Sequence, residues 1–140
     1  MKKQLTILVL SLVCGSATFA QSTFNNQIFD KLMSEYVKDP LLYLHTEAAA
    51  DFVMVDAKGR IMDIKGIEGL VNSTNTSTWD YSDIKTQQYG STGVAVFKMK
   101  HTHNFKSGKV GNYDEIWTAV YAEKGSKWQL VSWSLVPITK

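Results

Sequence analysis

Apolar residues recur every third or fourth position from Phe24 through Ile28, Phe29 and Leu32 to Tyr36, then change to every second position through most of the C-terminal half. The first pattern is that of a helix burying one stripe, the second that of strands burying one face. Ser22 or Thr23 is placed to cap the helix. Asp39-Pro40 then opens a second helix, Asp as N-cap and Pro at the first helical position, with Leu41, Leu42 and Leu44 turned inward. A short strand over 52–55, a turn over 57–60 and a second short strand over 61–62 follow, and Asp63 caps a brief helix that reaches Leu70. Residues 72–78 are all Asn, Ser and Thr and read as a solvated loop. Strands are predicted over 84–89, 94–105 and 109–137, the last folded back on itself at Lys124-Gly125.

The turns assign the faces. Closing a two-residue hairpin at Ser107-Gly108 sets Lys106 opposite Lys109, which puts His101 opposite Asp114, His103 opposite Asn112, Met99 opposite Ile116 and Phe97 opposite Thr118. The second hairpin, with Glu123 opposite Ser126, brings Leu135 beside Asp114, Trp133 beside Ile116 and Val131 beside Thr118. Strict alternation places all of these on one face. The other face pairs Lys100 with Glu115, a combination that belongs in water, so the His101 face is expected inward. Trp117, Tyr121 and Trp128 then lie outside, an aromatic surface suited to a homodimer interface.

Residues 1–20 have the plan of a secretory leader: Lys2-Lys3, an apolar run from Leu5 to Val13, and Thr18 and Ala20 placed for cleavage before Gln21. The sole cysteine, Cys14, lies within it, and Val13 is a poor match to a lipidation site. The expected mature chain, 21–140, is one domain, exported to the periplasm or beyond, without thiol chemistry. The formal charge of +2 includes Lys2 and Lys3; without them 13 basic residues face 13 acidic ones. No basic face is left to drive binding to nucleic acid or to a membrane surface. Helices first and a long meander of strands afterwards is an α+β arrangement, with the helices on the inward face.

Ala50 to Asp56 followed by Gly59-Arg60, then Thr118-Ala119-Val120-Tyr121, and then Gly125 to Val131 running into Val136-Pro137-Ile138, resemble the nuclear transport factor 2-like superfamily, in particular its exported SnoaL-like and ketosteroid-isomerase-like branch. The likeness spans Phe24 to Ile138. It implies a cystatin-like cone, a strongly curved antiparallel sheet wrapped around N-terminal helices, dimeric through the sheet's outer face and with a cavity at its wide end. Its members include isomerases, dehydratases, cyclases, ligand binders and association modules, so it implies a pocket without naming a reaction. The acidic trio of the isomerases has no residue-by-residue match in this chain.

Candidate chemistry centres on His101 and Asp114. A carboxylate across from an imidazole raises its pKa and orients it as a general base. Around this pair the pocket is expected to draw on Tyr43, Met99, His103, Asn112, Ile116, Thr118 and Trp133. His101 and His103, two apart on one strand face, invite a metal reading with His45 or Asp114 as third ligand, but the spacing is common and neither a metal nor a cofactor is assigned. Three functions fit: a pocket for a small, mostly apolar molecule; a cofactor-free lyase or isomerase using His101 and Asp114; and a homo-oligomeric association module.

Overall fold

The computed structural model describes residues 23–139; the leader, Cys14, the cleavage point before Gln21 and the cap expected at Ser22 lie outside them. Helix α1 (Asn26–Lys38) is capped not by Thr23, the alternative to Ser22, but by Asn25, whose Oδ1 accepts the Ile28 N–H at 3.0 Å, and it buries Phe29, Leu32, Met33 and Tyr36. Asp39 caps α2 (Pro40–Glu47) through the Leu42 N–H at 3.0 Å, as Asp-Pro predicts. This helix buries Tyr43 and Leu44, while Leu42, expected inside, points to solvent. Strands β1 (Ala48–Val55) and β2 (Ile61–Met62) precede α3 (Ile64–Asn72), which Asp63 caps. Four long strands follow: β3 (Thr74–Tyr89), β4 (Thr92–Phe105), β5 (Val110–Lys124) and β6 (Lys127–Pro137).

The sheet runs β2-β1-β6-β5-β4-β3. It is mixed rather than wholly antiparallel, because β1 pairs with β6 in parallel. Helix α1 lies on its inner face, with Phe29 against Phe97 and Tyr36 against Trp133. The fold is α+β, as expected. Among the described residues no helix is long and apolar enough to cross a membrane.

Most of the segment read as a polar loop over 72–78 is the start of β3. Thr74, Thr76 and Thr78 are β-branched, and an edge strand exposed on one face can be polar without ceasing to be a strand. Its inner residues Ser77, Trp79 and Tyr81 lie opposite His103, His101 and Met99. A bulge between Ser82 and Lys85, with Asp83 at φ 54°, bends the strand farther along.

The largest correction concerns β5. Phe105 N–H bonds to the Lys109 carbonyl and Gly108 N–H to the Phe105 carbonyl, both at 2.9 Å, so the loop is Lys106-Ser107-Gly108, with Gly108 left-handed at φ 82°. This three-residue closure shifts β5 by one position against the two-residue register. His101 therefore pairs with Tyr113, Met99 with Glu115 and Phe97 with Trp117. Glu115, Trp117, Ala119 and Tyr121 face inward, whereas Asp114, Ile116, Thr118 and Val120 leave the inner face. Burial of Trp117 and Tyr121 stabilises this register by roughly 2–3 kcal/mol per ring, more than an exposed Lys100–Glu115 pair could return.

The second hairpin closes with Lys124 opposite Lys127, and a bulge in β6 between Leu130 and Ser132 inserts one residue. Trp128 and Leu130 before it, and Trp133 and Leu135 after it, thus all face inward. Trp133 and Leu135 are on the expected face but lie opposite Ala119 and Trp117 rather than Ile116 and Asp114; Val131 is not on that face. Trp117, Tyr121 and Trp128, expected as an outer interface, are core. The outer face instead exposes Val96, Ile116 and Val136.

Strand β6 ends at Pro137 opposite Glu115, while β5 continues back to Val110. Residues 110–114 thus have no β6 strand alongside, although the Ile138 N–H still reaches the Asp114 carbonyl at 2.9 Å. A cavity of about 580 Å³ lies here, bounded across from β4 and β5 by the β1–β2 turn and by α3.

Candidate functional site

Alternation along β4 sends Ala95, Phe97, Met99, His101 and His103 inward in one row. The first three meet apolar neighbours, whereas the last two meet a polar set contributed by β3 and β5. Glu115 arrives opposite Met99 and reaches His101, its Oε2 3.1 Å from His101 Nε2. Trp117 Nε1–H donates to the same oxygen at 2.8 Å. His101 Nδ1 and His103 Nε2 are 2.9 Å apart, and His103 Nδ1 is 2.7 Å from Ser77 Oγ. The result is one continuous chain, Ser77–His103–His101–Glu115–Trp117. His101, His103 and Glu115 are all buried.

Aromatic rings hold the His101 imidazole on both faces. Trp79 stacks on one side at 5.0 Å and 11°, Tyr113 on the other at 4.8 Å and 15°. These are its cross-strand partners on β3 and β5. Tyr113 can fold back this way because residue 111 is Gly: a Cβ there would sit 2.6 Å from the Tyr113 hydroxyl and 2.7 Å from its ring. Burial, and after it the neighbouring His101, push His103 down to about 4 against the opposing pull of Glu115. His103 is thus neutral at physiological pH.

His101, His103, Tyr113 and Glu115 form the polar wall of the cavity, and Met54, Met62, Leu70 and Leu135 supply much of the apolar lining. Asp56, Lys58 and Arg60 on the β1–β2 turn complete it. Arg60 Nε and Nη2 both lie 2.6 Å from Asp56 Oδ2. Burial raises the Asp56 carboxyl, but hydrogen bonds from Arg60 and the Lys58 N–H outweigh it and leave the group below its ordinary value. Glu115 Oε2 is occupied twice over, whereas its Oε1 accepts no hydrogen bond from any described residue. Asp114 Oδ1, buried near the cavity, also has no partner among the described residues.

The sequence-derived site is only partly assembled. His101, His103, Asn112 and Asp114 line the cavity. The carboxylate on His101 is Glu115, not Asp114, because of the shifted register. Met99 and Trp133 are sealed in the core, Trp133 between Tyr36, Phe52 and Trp117. Ile116 and Thr118 sit on the outer side of β5. Tyr43 is buried with its hydroxyl 3.3 Å from that of Tyr121, and burial followed by the Tyr121 charge raises its pKa far above the ordinary value. None of these five lines the cavity. His45, weighed as a metal ligand, instead contacts Glu68 of α3 at 2.6 Å. Glu115, Ser77, Trp79 and Tyr113 were missed; the available signal was that only a shifted β5 hides both Trp117 and Tyr121.

A buried carboxylate with one oxygen held by two donors and the other unengaged can anchor a ligand donor or accept a proton. His103, neutral behind it, can pass a proton along without holding a buried charge.

No protein-family model matches this chain, and no curated protein sequence matches it. Solved structures do match its fold. An NTF2-like protein of unknown function from Prochlorococcus sp. NATL2A is 16% identical with a TM-score of 0.71, covering 84% of this chain and 96% of its own. An uncharacterised protein with a cystatin-like fold from Caulobacter vibrioides is 10% identical with a TM-score of 0.68, covering 81% and 89%. The hexachlorocyclohexane dehydrochlorinase LinA-type3 from Novosphingobium barchaimii LL02 is 10% identical with a TM-score of 0.65, covering 81% and 86%. At these identities the likeness is one of fold.

Proposed function

We propose that this chain, a protein of NTF2-like fold, is an exported pocket protein that binds a small, mostly apolar molecule against His101, His103 and Glu115. The observation that carries this reading is the cavity of about 580 Å³, apolar on several sides and ending on a buried carboxylate with an unengaged oxygen. Its volume falls within the range of small-ligand sites, and the few convergent polar groups would orient a ligand. The test is calorimetric titration with 2-tetralone and a set of ring compounds of similar size. Saturable one-to-one binding is expected, weakened at least tenfold by Leu135→Trp, which fills the void. Absence of saturable binding across the set would overturn the reading.

A second reading, a cofactor-free lyase or isomerase, is favoured by the contact of Glu115 with His101. Glu115 Oε1 is the proton acceptor in this version and His101 supports the carboxylate, replacing the His101–Asp114 pair expected from the sequence. The dehydrochlorinase of this fold is named for an elimination, a class of reaction that involves proton removal. Exchange of the 2-tetralone α-protons in D2O tests the idea without knowledge of the substrate. Glu115→Gln should slow the protein-dependent exchange by about 10²-fold or more; an unchanged rate would eliminate this reading.

Export follows from the leader pattern over 1–20, and N-terminal sequencing of exported protein should begin at Gln21. A homodimer is retained in this proposal through the outer sheet face, now with Val96, Ile116 and Val136 as its apolar surface.

A further inference from the structure

We propose that Ser77, His103, His101 and Glu115 form a proton wire, with Ser77 as its solvent end and Glu115 as its cavity end. The inference rests on the pocket reading in one respect, that Glu115 is the group a ligand meets. Three hydrogen bonds of 2.7, 2.9 and 3.1 Å join the four side chains without a gap. The β3–β4 register sets Ser77 opposite His103, alternation along β4 puts His101 on the same face, and β5 delivers Glu115. The interior members are buried, whereas Ser77 is half-buried on the edge strand.

With Glu115 a carboxylate and both imidazoles neutral, the donors have one self-consistent direction. Oε2 can only accept, so His101 carries its proton on Nε2 and its Nδ1 accepts from His103 Nε2–H. His103 Nδ1 then accepts from the Ser77 hydroxyl. When a solvent hydronium gives a proton to Ser77 Oγ and becomes water, the hydroxyl proton moves to His103 Nδ1. The His103 Nε2 proton moves to His101 Nδ1, and the His101 Nε2 proton moves to Glu115 Oε2. One proton has passed from solvent to the carboxylate, each imidazole remains neutral, and all three hydrogen bonds have reversed. The opposite sequence returns the proton to water and restores the carboxylate. Other ionisable groups close by are Tyr113, stacked on His101, and Asp114, next to Glu115; Asp56, Lys58 and Arg60 line the same cavity. Among the described residues none of these five hydrogen-bonds to the four members.

The wire makes a prediction opposite in sign to that of a merely structural hydroxyl. Exchange of the His101 Nε2 proton with solvent, followed by 15N-edited NMR at neutral pH, should slow at least tenfold in Ser77→Ala and keep its rate in Ser77→Thr. If the hydroxyl served only to tie β3 to β4, its removal would loosen the strand edge and speed exchange. Unchanged or faster exchange in Ser77→Ala, or equal slowing in Ser77→Thr, would overturn the proposal. The readout needs no ligand, so its failure is distinct from a failure of the cavity to bind.

Discussion

His101 Nε2 and Glu115 Oε2 meet at 3.1 Å in the interior of the sheet, and Trp117 Nε1–H shares the same oxygen. Truncating the carboxylate strands two buried donors, each costing on the order of 1–3 kcal/mol when left unpaired. Glu115→Ala is therefore expected to destabilise the fold by roughly 2–4 kcal/mol in urea unfolding. Asp114→Asn, at a carboxylate with one unpartnered buried oxygen, should change stability by less than about 1 kcal/mol. A larger loss at Asp114 than at Glu115 would contradict the assignment.

Stability should also depend on pH through His103. Its folded pKa is depressed to about 4, below the ordinary value of 6.5, so the unfolded chain takes up a proton that the native state resists. The contribution is fully present above about pH 6.5, declines as pH falls through the interval to about 4, and then levels off. The loss over that interval is on the order of 3 kcal/mol. Urea unfolding of the protein and of His103→Gln across this range should differ in slope, the variant showing the flatter profile. Parallel profiles would show that His103 titrates normally.

How far these features could be read from the sequence depended on the local signal. Asp39-Pro40 and Asp63 carry their own hydrogen-bonding chemistry, and both caps formed where expected. The inward row of β4 was legible because alternation holds through it without interruption. Strand β5 was not, because Ser107-Gly108 fits a two-residue or a three-residue loop, and one residue exchanges Asp114 for Glu115. The β6 bulge at Val131 likewise left Trp133 on the expected face, though opposite Ala119, while hiding Trp128 and Leu130 from an argument built on strict period two. Ser77 lay in a run of small polar residues whose composition gave no hint that an imidazole waits across the strand.

Gly111 and Tyr113 should prove energetically coupled. Gly111→Ala places a Cβ within van der Waals overlap of the Tyr113 ring and must displace it from His101. The expected cost is roughly 1–3 kcal/mol, with a change in the ring-current shifts of the His101 protons. In a Tyr113→Ala background the same substitution should be nearly neutral. A double-mutant cycle reads this directly, and full additivity would argue against the coupling.

The proposed dimer face has its own test. Ile116 lies between Lys98 and Val136 on the outer side of the sheet and is 38% exposed, so Ile116→Lys leaves the core untouched. Sedimentation should show a dimer for the unaltered protein and a folded monomer for the variant. A monomer at the outset would remove the face from consideration.

A ligand in the cavity is expected to meet Glu115, and the Trp117 indole N–H, bonded to that carboxylate, is its closest reporter. Titration of 15N-labelled protein with 2-tetralone should shift the Trp117 Nε1–H resonance along a saturable one-to-one curve that disappears in Leu135→Trp. Saturable binding detected by calorimetry while this resonance stays fixed would place the ligand elsewhere and refute the assignment of Glu115 as the group it meets.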